Sequence, residues 1–515
     1  MNDTAIKKRY FVQTSGSSFW IPLVSSLSDS FDLRLALVDD RIADGLQSRM
    51  PSVRVLRAND LKHGLFRRDK CIPLPVKNRT SEQFARRFSQ ALYSFDRLSV
   101  GGAIDFPERS AILTSLADFL WSQFLCAEPS FGIMTESPHT LSDLLLTGIA
   151  ESEGVPILHF QQNGFLPSVR PVLGAEYRPV DLVTSLTDNE NLIRCEQFEQ
   201  FRPQFEEFVK GAQAASMAQF ERAVHDLDQS VFSGWKAPWR KFYVPYSWLD
   251  EERKQVREAV ARDEVDPQEA NTTAHGLTGA ENFTQIARRS VALALRQARQ
   301  LRQLRVMLED VARPLPSEPY ALMFLSFEPE KTSIPDGGAF GDQIFAVRSV
   351  ANAIGGECPL VLKEHPSQLT LVKRGFRVRR RRFYEELCSI PNVQFAPRDV
   401  SRPQMFQNAR VVMTLTGTVG LEAWCQGLPV VLLGNTWYRD LEGIFSVSDY
   451  LDLADGVRSA LASVRKPNEQ AEAILWNHIV SSSLINVLNP YFDKVHGSVD
   501  DDLGSLSSLV RNLFQ

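Results

Sequence analysis

The sequence predicts an α/β protein in which two Rossmann-like domains face one cleft, with a helical insertion between them. Short apolar runs alternate with helical patterns in residues 1–190 and again in residues 316–455. Residues 191–315 have a helical, charged pattern, and residues 456–515 are expected to form helices that pack back on the domains. Several apolar runs end in polar residues, and ligands of open parallel sheets bind at the carboxyl ends of strands. The polar strand ends of both domains should therefore meet in the cleft.

Length and composition indicate a globular protein with more than one domain. The 515 residues exceed what one core usually holds, and 43% hydrophobic with 23% charged residues is an ordinary globular balance. A net charge of -5 gives no support for nucleic acid as a partner. No apolar stretch looks long enough to span a bilayer, and the six cysteines lack metal-binding spacing. We therefore expect reduced thiols, a cytoplasmic location and no metal site.

The N-terminal domain is predicted to contain parallel strands joined by helices. A Ser/Gly turn follows the first apolar run, and two long amphipathic patterns precede the later strands. Right-handed crossovers would make these strands parallel. We predict strands at residues 10–12, 33–38, 132–134, 155–158 and 180–183, and helices at residues 81–98 and 111–125.

Polar residues follow two strands of this domain and are its candidate site residues. Glu136 and His139 come after the strand at residues 132–134, and a carboxylate beside an imidazole in a cleft is a candidate acid, base or nucleophile. The alternative is that Ser137 caps a helix and His139 forms a hydrogen bond within the domain. Three amides follow the next strand and suit the hydroxyl groups of an acceptor, although amides also hold loops in place: Gln161, Gln162 and Asn163.

The insertion and a later basic run carry further charged features. Residues 235–243 mix aromatics with cations and are a candidate membrane contact, with packing against another domain as the alternative. In the last long helix of the insertion, Leu301, Leu304 and Leu308 are expected to be buried, and the Arg and Gln residues from 296 to 305 to be solvated. The basic run at residues 377–382 would either meet an anionic acceptor or lipid headgroups, or begin a solvated helix.

The C-terminal domain has the clearest strand pattern in the chain. Buried runs alternate with helical patterns, and a polar loop rich in Gly and Pro occupies residues 328–338. This alternation indicates a second Rossmann-like sheet. We predict strands at residues 320–327, 359–363, 393–396, 410–415 and 429–433, and helices at residues 342–354 and 383–388.

One strand end of this domain combines groups that can bind an anion and move a proton. Lys363, Glu364 and His365 supply a cation, a carboxylate and a group that titrates near neutrality. Pro366 stiffens the backbone directly after them. The alternative is that Lys363 and Glu364 form a solvated pair and His365 caps a neighbouring helix.

A second strand end of this domain has the pattern of a phosphate site. Thr416, Gly417 and Thr418 follow an apolar run and precede a helical pattern, which places the free N–H groups of a helix N-terminus beside hydroxyl groups. Neither a P-loop lysine pattern nor GxGxxG is present, so the usual ATPase and dinucleotide sites are excluded. The alternative is an ordinary strand-to-helix turn with a capping threonine.

These motifs together resemble the bacterial capsule polysaccharide biosynthesis family. The resemblance is strong over residues 320–440, through residues 327–333, 363–366, 416–423 and 427–430, and weaker over residues 136–167. The family includes GT-B glycosyltransferases that retain configuration and transfer the acidic sugar Kdo from its CMP-activated form. The resemblance implies that His365 and Pro366 form the donor motif, with the imidazole near the nucleotide phosphate, and that Glu422 lies near the ribose or the loop backbone.

The resemblance implies a GT-B-like glycosyltransferase of bacterial surface polysaccharide biosynthesis. It would transfer a sugar, with CMP-Kdo as the suggested donor, to a saccharide or lipid-linked acceptor, and it would need no cofactor besides its nucleotide-sugar substrate. The expected catalytic residues are Glu136, His139 and His365. The expected donor-binding residues are Glu330, Thr332, Ser333, Lys363, Glu364, Pro366, Thr416, Gly417, Thr418 and Glu422.

Two other functions are compatible with the same pattern. A UDP-sugar 2-epimerase-like isomerase shares the GT-B architecture and also uses a histidine and carboxylates in the cleft, but it needs no acceptor. A non-catalytic GT-B scaffold in a polysaccharide assembly complex would bind a nucleotide without turnover. For an enzyme active on cytoplasmic nucleotide sugars, contact with the inner membrane surface is a further expectation.

Overall fold

The computed structural model describes residues 7–14, 20–62, 64–67, 80–95, 106–163, 166, 168–174, 176–213, 237–262, 283–370, 375–465, 469–485 and 499–515. Strands and helices are numbered here in chain order within these residues. The strands are β1 Lys8–Gln13, β2 Phe31–Val38, β3 Arg54–Arg57, β4 Phe131–Met134, β5 Ile157–Gln162, β6 Ser168–Leu173, β7 Arg178–Pro179, β8 Tyr320–Phe324, β9 Leu360–Lys363, β10 Val393–Phe395, β11 Ala409–Thr414, β12 Val430–Leu432, β13 Ile444–Ser446 and β14 Leu484–Ile485.

The helices connect and flank two separate sheets. Two short 3₁₀ turns also occur, at Gly338–Phe340 and Gly375–Arg377. The α-helices are α1 Trp20–Leu27, α2 Asp40–Arg49, α3 Ala58–Lys62, α4 Glu82–Ser94, α5 Phe106–Ala127, α6 Leu141–Ser152, α7 Leu182–Ser185, α8 Asp188–Glu199, α9 Arg202–Gln213, α10 Ala237–Ala261, α11 Phe283–Val311, α12 Gln343–Ile354, α13 Arg381–Cys388, α14 Arg402–Gln407, α15 Thr418–Cys425, α16 Tyr450–Ala462, α17 Ala471–Ser482 and α18 Val499–Phe514.

The strand orders show two Rossmann-like domains. The second sheet runs β10-β9-β8-β11-β12-β13 with parallel pairing throughout, so counted from its own first strand the order is 3-2-1-4-5-6, that of a doubly wound dinucleotide-type domain. The first sheet runs β14-β6-β5-β4-β1-β2-β3 and is parallel from β3 to β5. The predicted fold class, α/β and GT-B-like, is confirmed.

Burial explains why the central strands form. Every residue of β4, β8 and β9 is buried, as expected for strands covered by helices on both faces. The flanking helices begin at side-chain caps; Asp342, for example, accepts hydrogen bonds from the first N–H groups of α12. The carboxyl ends of β4, β9 and β11 are therefore set by a rigid core.

The C-terminal residues complete the N-terminal domain. Strand β14 pairs antiparallel with β6, and α18 packs against α1. The Phe514 ring stacks on Phe131 of β4, with ring centroids 4.2 Å apart. The insertion helix α9 contacts α17 instead, through Phe205 and Trp476 with centroids 4.9 Å apart. The first domain is thus assembled from both ends of the chain.

Two segments of the N-terminal domain differ from their predicted structure. Residues 180–183, expected as a strand, enter the short helix α7, because the Asp181 side chain accepts from Val183 N and begins a helical turn. The amides Gln161 and Gln162, expected after a strand, lie within β5, which extends to pair antiparallel with β6. Gln161 and Gln162 do not continue an apolar strand pattern, because β5 lies where the sheet changes from parallel to antiparallel pairing.

The prediction that no stretch is apolar enough to span a bilayer is wrong. The segment Arg109–Ala127 of α5 is long and apolar enough by length and composition, with a mean hydropathy of 1.2 and half of it buried. Its apolar side chains, including Leu116, Leu120 and Trp121, belong to the core of the first domain. Packing within the domain accounts for the composition of this helix.

The exposure of two polar side chains, Gln297 and Arg379, differs from the expectation that they are solvated. Leu301, Leu304 and Leu308 of α11 are buried as expected, but Gln297 is buried with them. Arg379, in the basic run, has no exposed surface, whereas Arg381 and Arg382 are exposed and pair with Glu385 and Glu386 of α13. The Arg379 side chain is inward because it lies between two buried carboxylates.

Candidate functional site

The β4 end presents a carboxylate and an imidazole between the domains. Strand β4 ends at Met134, and α6 starts at Leu141 with Thr140 as its cap, so Glu136 and His139 lie in the connecting loop. The cap is Thr140 in a capping box with Asp143, and not Ser137. The Glu136 side chain is 13% exposed, and its Oε1 lies 3.5 Å from His139 Nδ1. The two residues are therefore neighbours, as the spacing predicts.

Lys331 of the second domain reaches across the cleft to this carboxylate. Its Nζ donates to Glu136 Oε2 in a short hydrogen-bonded ion pair. Burial alone would lower the pKa of Lys331, but Glu136, Asp336 and Glu330 together raise it, so the ammonium stays charged. This ion pair fixes the position of the Glu136 carboxylate between the two domains.

Asp336 is a second carboxylate in this cluster, and the sequence analysis did not single it out. Burial raises the pKa of Asp336 to about 6, partly offset by Lys331 and by hydrogen bonds from Ser137 and Tyr177 of the first domain. Its Oδ1 is buried and has no hydrogen-bond partner among the described residues. A buried carboxylate with a free oxygen is unusual unless a ligand or water meets it. The sequence feature that could have pointed to Asp336 is the loop Pro335–Gly338. No local pattern, however, shows that this loop contacts the other domain.

The N-terminus of α15 lies beside this cluster. Gly417 is the residue before the helix, and no side chain caps it among the described residues. A Cβ at Gly417 would lie 2.9 Å from Thr414 Oγ1, and one at Gly420 would lie 2.8 Å from Tyr438 Oη, so glycine is needed at both positions for close packing. Thr418 is exposed at the first helical position. The free N–H groups there suit an anion.

Hydrogen bonds join this helix terminus to the Lys331 loop. Thr416 Oγ1 donates to Thr332 O at 3.0 Å, and Asn435 N donates to Asp336 O at 2.6 Å. The N-terminus of α15 and the Glu136–Lys331 pair are therefore connected through residues 331–336.

His365 is half-buried at the end of β9, with one nitrogen committed. Ser367 N donates to His365 Nδ1 at 3.2 Å, so the neutral ring carries its proton on Nε2. The ring lies 5.6 Å from the Phe327 ring, and Pro366 is exposed beside it. The backbone of the following turn thus fixes the orientation of the ring through Nδ1.

Lys363 and Glu364, predicted to contact the donor, have structural partners. Lys363 Nζ donates to the carbonyls of Pro397, Arg398 and Val400 at 2.6, 3.0 and 3.3 Å, which occupies its three N–H bonds. Burial lowers the pKa of Lys363 to about 8. These three bonds hold the loop after β10, and we do not include Lys363 among the proposed ligand contacts.

Glu364 belongs to a buried network around Arg379. Its Oε2 accepts from Arg379 Nε at 3.1 Å and from Tyr384 Oη at 2.8 Å, and its Oε1 accepts from His365 N at 2.9 Å. Arg379 also donates to Glu328, whose other oxygen accepts from Tyr93 Oη of the first domain at 3.1 Å. Glu364 therefore holds the backbone N–H of His365, while Arg379 and Tyr384 hold the Glu364 carboxylate.

The other predicted donor-binding residues lie around the same loops. Glu330 is exposed, and its carbonyl accepts from Ser333 Oγ at 2.8 Å. Thr332 presents its carbonyl to Thr416, as described above. Glu422 is buried within α15, and both of its oxygens lie within 3.0 Å of Arg402 Nη1. The loop at residues 330–333 is therefore bonded to the loop before α15. Glu422 instead has Arg402 as its partner, away from the N-terminus of α15.

The predicted acceptor amides lie on the strand and turn after β4. Gln161 is buried and stands opposite Arg170 in the β5–β6 ladder, and Gln162 is half-buried at the end of β5. Asn163 Oδ1 accepts from Leu166 N at 3.2 Å, which holds the turn. Arg170 itself donates to Trp437 O at 2.8 Å across the domain boundary. The amides remain candidate acceptor contacts.

The described residues contain no group of three or more His, Cys, Asp or Glu that could hold a metal ion. The partial positive charge at the N-terminus of α15 and the N–H of His365 can stabilise the negative charge on a leaving phosphate. Opposite them, Glu136 can take a proton or attack an electrophilic carbon. The arrangement suits group transfer from a phosphate-activated substrate.

Comparison with known proteins gives one family match. Residues 282–452 match the family model described as "Capsule polysaccharide biosynthesis protein". No curated protein sequence matches the chain. This matched range contains Lys331, Asp336, His365 and the α15 N-terminus, but not Glu136.

Solved structures cover most of the chain at low similarity. One is the UDP-GlcNAc 2-epimerase from Methanocaldococcus jannaschii, at 11% identity and a TM-score of 0.25, covering 91% of this chain and 98% of that one. Another is Thermosulfurimonas dismutans KpsC, a beta Kdo 2,7 transferase, at 11% identity and a TM-score of 0.27, covering 91% and 99%.

The family match falls on the half of the site that the sequence motifs singled out. The matched residues include the β9 and β11 ends, whose geometry is described above. Residues 282–452 therefore match a model of the family that the sequence motifs resemble.

Proposed function

We propose that this protein is a nucleotide-sugar-dependent glycosyltransferase of bacterial surface polysaccharide biosynthesis. The observation that carries the proposal is the contact of Glu136 with Lys331 across the cleft, beside the uncapped N-terminus of α15. One domain thus contributes a charged carboxylate and the other an anion-binding helix end. A transfer reaction between a phosphate-activated sugar and an acceptor needs both.

The geometry suggests how the bond would be broken. The donor diphosphate or monophosphate would bind the first N–H groups of α15, at Thr418 and Val419, with His365 Nε2–H as a further donor. These groups stabilise the negative charge that develops on the leaving phosphate oxygen as the sugar–oxygen bond breaks. Preorganised donors of this kind contribute about 2.7–4 kcal/mol each to the barrier in enzymes.

Glu136 would act on the other side of the sugar. As a base it takes the proton of the acceptor hydroxyl while that oxygen bonds to the anomeric carbon; as a nucleophile it bonds to that carbon first and is then displaced by the acceptor. Lys331 orients the carboxylate through their ion pair for either role. Asp336, with a pKa of about 6, is placed to exchange a proton in the same cluster.

CMP-Kdo is the first donor to test, because the family that the sequence motifs resemble includes transferases of the acidic sugar Kdo. The acceptor would be a saccharide or a lipid-linked saccharide, with Gln161, Gln162 and Asn163 near it. We also propose a cytoplasmic site of action, with peripheral contact to the inner membrane. The aromatic run at residues 235–243 was the predicted contact; Trp235 and Lys236, and the side chains from 237 to 243, lie outside the described part of the chain.

The experiment begins with nucleotide binding and ends with transfer. Thermal unfolding is measured with CMP, UDP, GDP and ADP, since a ligand at 100 times its dissociation constant stabilises by about 2.7 kcal/mol. Transfer is then followed with the matching nucleotide sugar, with and without an acceptor. Glu136→Gln should reduce transfer by at least about 100-fold and keep nucleotide binding. Glu357→Gln, the same change at an exposed residue, is the control.

Each alternative function gives a different result. Conversion of a UDP-sugar without acceptor would indicate an epimerase, and nucleotide binding without any turnover would indicate a scaffold. Full transfer activity in Glu136→Gln would remove that residue from the mechanism. A stabilisation by CMP alone that His365→Ala abolishes would support the CMP-Kdo donor.

A further inference from the structure

Helix α11 exposes an unusual outer face. Its buried residues, from Ile286 to Leu308, lie on one side and pack on α10 and on the second domain. On the opposite side three large aliphatic residues are exposed: Val291 at 47%, Leu295 at 57% and Val306 at 47%. We call this side the outer stripe; its members follow helical spacing and are Arg288, Val291, Leu295, Arg299, Arg302 and Val306.

The outer stripe is cationic along its length. Its three arginines, Arg288, Arg299 and Arg302, flank the aliphatic residues, and the first acidic residue of α11 is Glu309. A cavity of about 750 Å³ lies beside Arg299, Arg302 and Val306 and is lined across from them by Arg380 and Arg381. The charge is local, because the whole chain carries a net charge of -5.

The exposed aliphatic residues among the arginines indicate whether the outer stripe suits a soluble anionic polymer or a lipid surface. A soluble anionic polymer would use the guanidinium groups and leave the exposed valines and leucine in water. A lipid surface uses both, because the aliphatic side chains enter the boundary of the acyl chains while the arginines meet the headgroup phosphates. From residue 288 to 306 the stripe extends about 27 Å along a straight helix, which suits a flat surface.

We propose that the outer stripe, with Arg380 and Arg381, docks this protein on a membrane surface that contains anionic lipid headgroups. This inference specifies which surface makes the membrane contact proposed above. It rests on the proposed function only for the choice of a membrane as the partner. Gln300 donates to Phe376 O at 2.9 Å, and Arg305 donates to Leu369 O at 2.7 Å, so α11 is bonded to the segment that follows His365. Docking would hold the His365 side of the cleft near the lipid, where a lipid-linked acceptor would enter.

The test is sedimentation of the full chain with vesicles, without donor or acceptor. Vesicles of phosphatidylglycerol and phosphatidylcholine are compared with vesicles of phosphatidylcholine alone. Arg299→Gln with Arg302→Gln should lower the partition coefficient on anionic vesicles by about 25-fold, since each basic residue near such a surface contributes about fivefold. Val291→Ser with Leu295→Ser should lower it independently. The matched control is Leu451→Ser with Arg458→Gln on α16, where both side chains are also exposed.

The outcomes separate docking from catalysis. Binding to anionic vesicles that both stripe variants lose and the control keeps within about twofold supports the proposal, whatever the transfer assay shows. Absence of vesicle binding by the unaltered protein overturns it, as does equal loss in the control. Retention on soluble dextran sulfate, unchanged by Val291→Ser with Leu295→Ser and without vesicle binding, would identify an anionic polymer and also overturn it. Thermal unfolding of each variant checks that these exposed changes leave the fold intact.

Discussion

Removing the Arg379 side chain should destabilise the second domain strongly. Arg379 has no exposed surface and lies between two carboxylates that are themselves buried, Glu328 at 3% and Glu364 at 5% side-chain exposure. Its guanidinium also stacks over the Phe383 ring, 4.0 Å from the centroid. Burial would lower the pKa of Arg379, but Glu364 and Glu328 raise it instead. The substitution Arg379→Met keeps much of the volume and removes the charge.

The magnitude follows from what the substitution leaves behind. Breaking a buried ion pair by removing one partner costs about 3–5 kcal/mol, because the remaining charge is uncompensated. Here two carboxylates lose their partner, while Tyr384 still donates to Glu364 and Tyr93 still donates to Glu328. We therefore expect the upper end of that range, about 5 kcal/mol, for the free energy of unfolding.

Urea unfolding followed by tryptophan fluorescence measures this loss. Arg380→Met is the matched control, because the neighbouring arginine is exposed and should change stability by less than about 0.5 kcal/mol. Combining Arg379→Met with Glu328→Gln and Glu364→Gln should recover part of the loss, since no buried charge is then left alone. A cost below about 1 kcal/mol for Arg379→Met would refute the reasoning.

Further predictions concern the cleft and the strand ends. Asp336→Asn should stabilise the fold more at pH 8 than at pH 5, by about 1–2 kcal/mol in thermal unfolding. The pKa of Asp336 is raised from 3.8 to about 6 by folding, so the unaltered protein loses stability as the pH rises between these values and keeps that loss above pH 6. A constant difference between pH 5 and pH 8 would contradict the assignment. In the transfer assay the same variant should lose any rate increase centred near pH 6, and a retained limb would exclude Asp336 as its source. Lys363→Met should lower the unfolding temperature and leave nucleotide affinity within about twofold, because its ammonium holds carbonyls; a tenfold affinity loss without destabilisation would restore it to the donor site. Gly420→Ala should cost about 1–3 kcal/mol and weaken nucleotide binding, since its Cβ would meet Tyr438 Oη at 2.8 Å; unchanged affinity by calorimetry would count against the α15 site.

Local sequence was sufficient for the elements that define the second domain. Strands at 359–363 and 410–415 are apolar on both faces, and such runs between helical patterns have few alternatives to a buried parallel strand. The small residues at 416–418 likewise predict a turn into α15. What local sequence cannot give is the partner of a polar side chain.

The site shows that limit at particular residues. Lys331 and Asp336 lie in a loop about 200 residues from Glu136, and only the docked domains bring them together. Lys363 and Glu364 stand next to His365 in sequence, yet alternation along the strand sends them to carbonyls and to Arg379. Arg379 and Arg381 belong to one basic run, and the start of a helix between them separates a buried charge from a solvated one.

The return of the chain to the first domain has a consequence for the order of folding. Strand β14 and helix α18 supply the edge of the first sheet and the Phe514 ring on Phe131, although most of that domain is synthesised before residue 190. During translation, the second domain can close its core once α17 has left the ribosome, because α17 covers the second face of its sheet, while the first domain still exposes the apolar surface that α18 covers. The domain that begins first would then finish last, and we expect it to be the one that needs chaperone protection during synthesis.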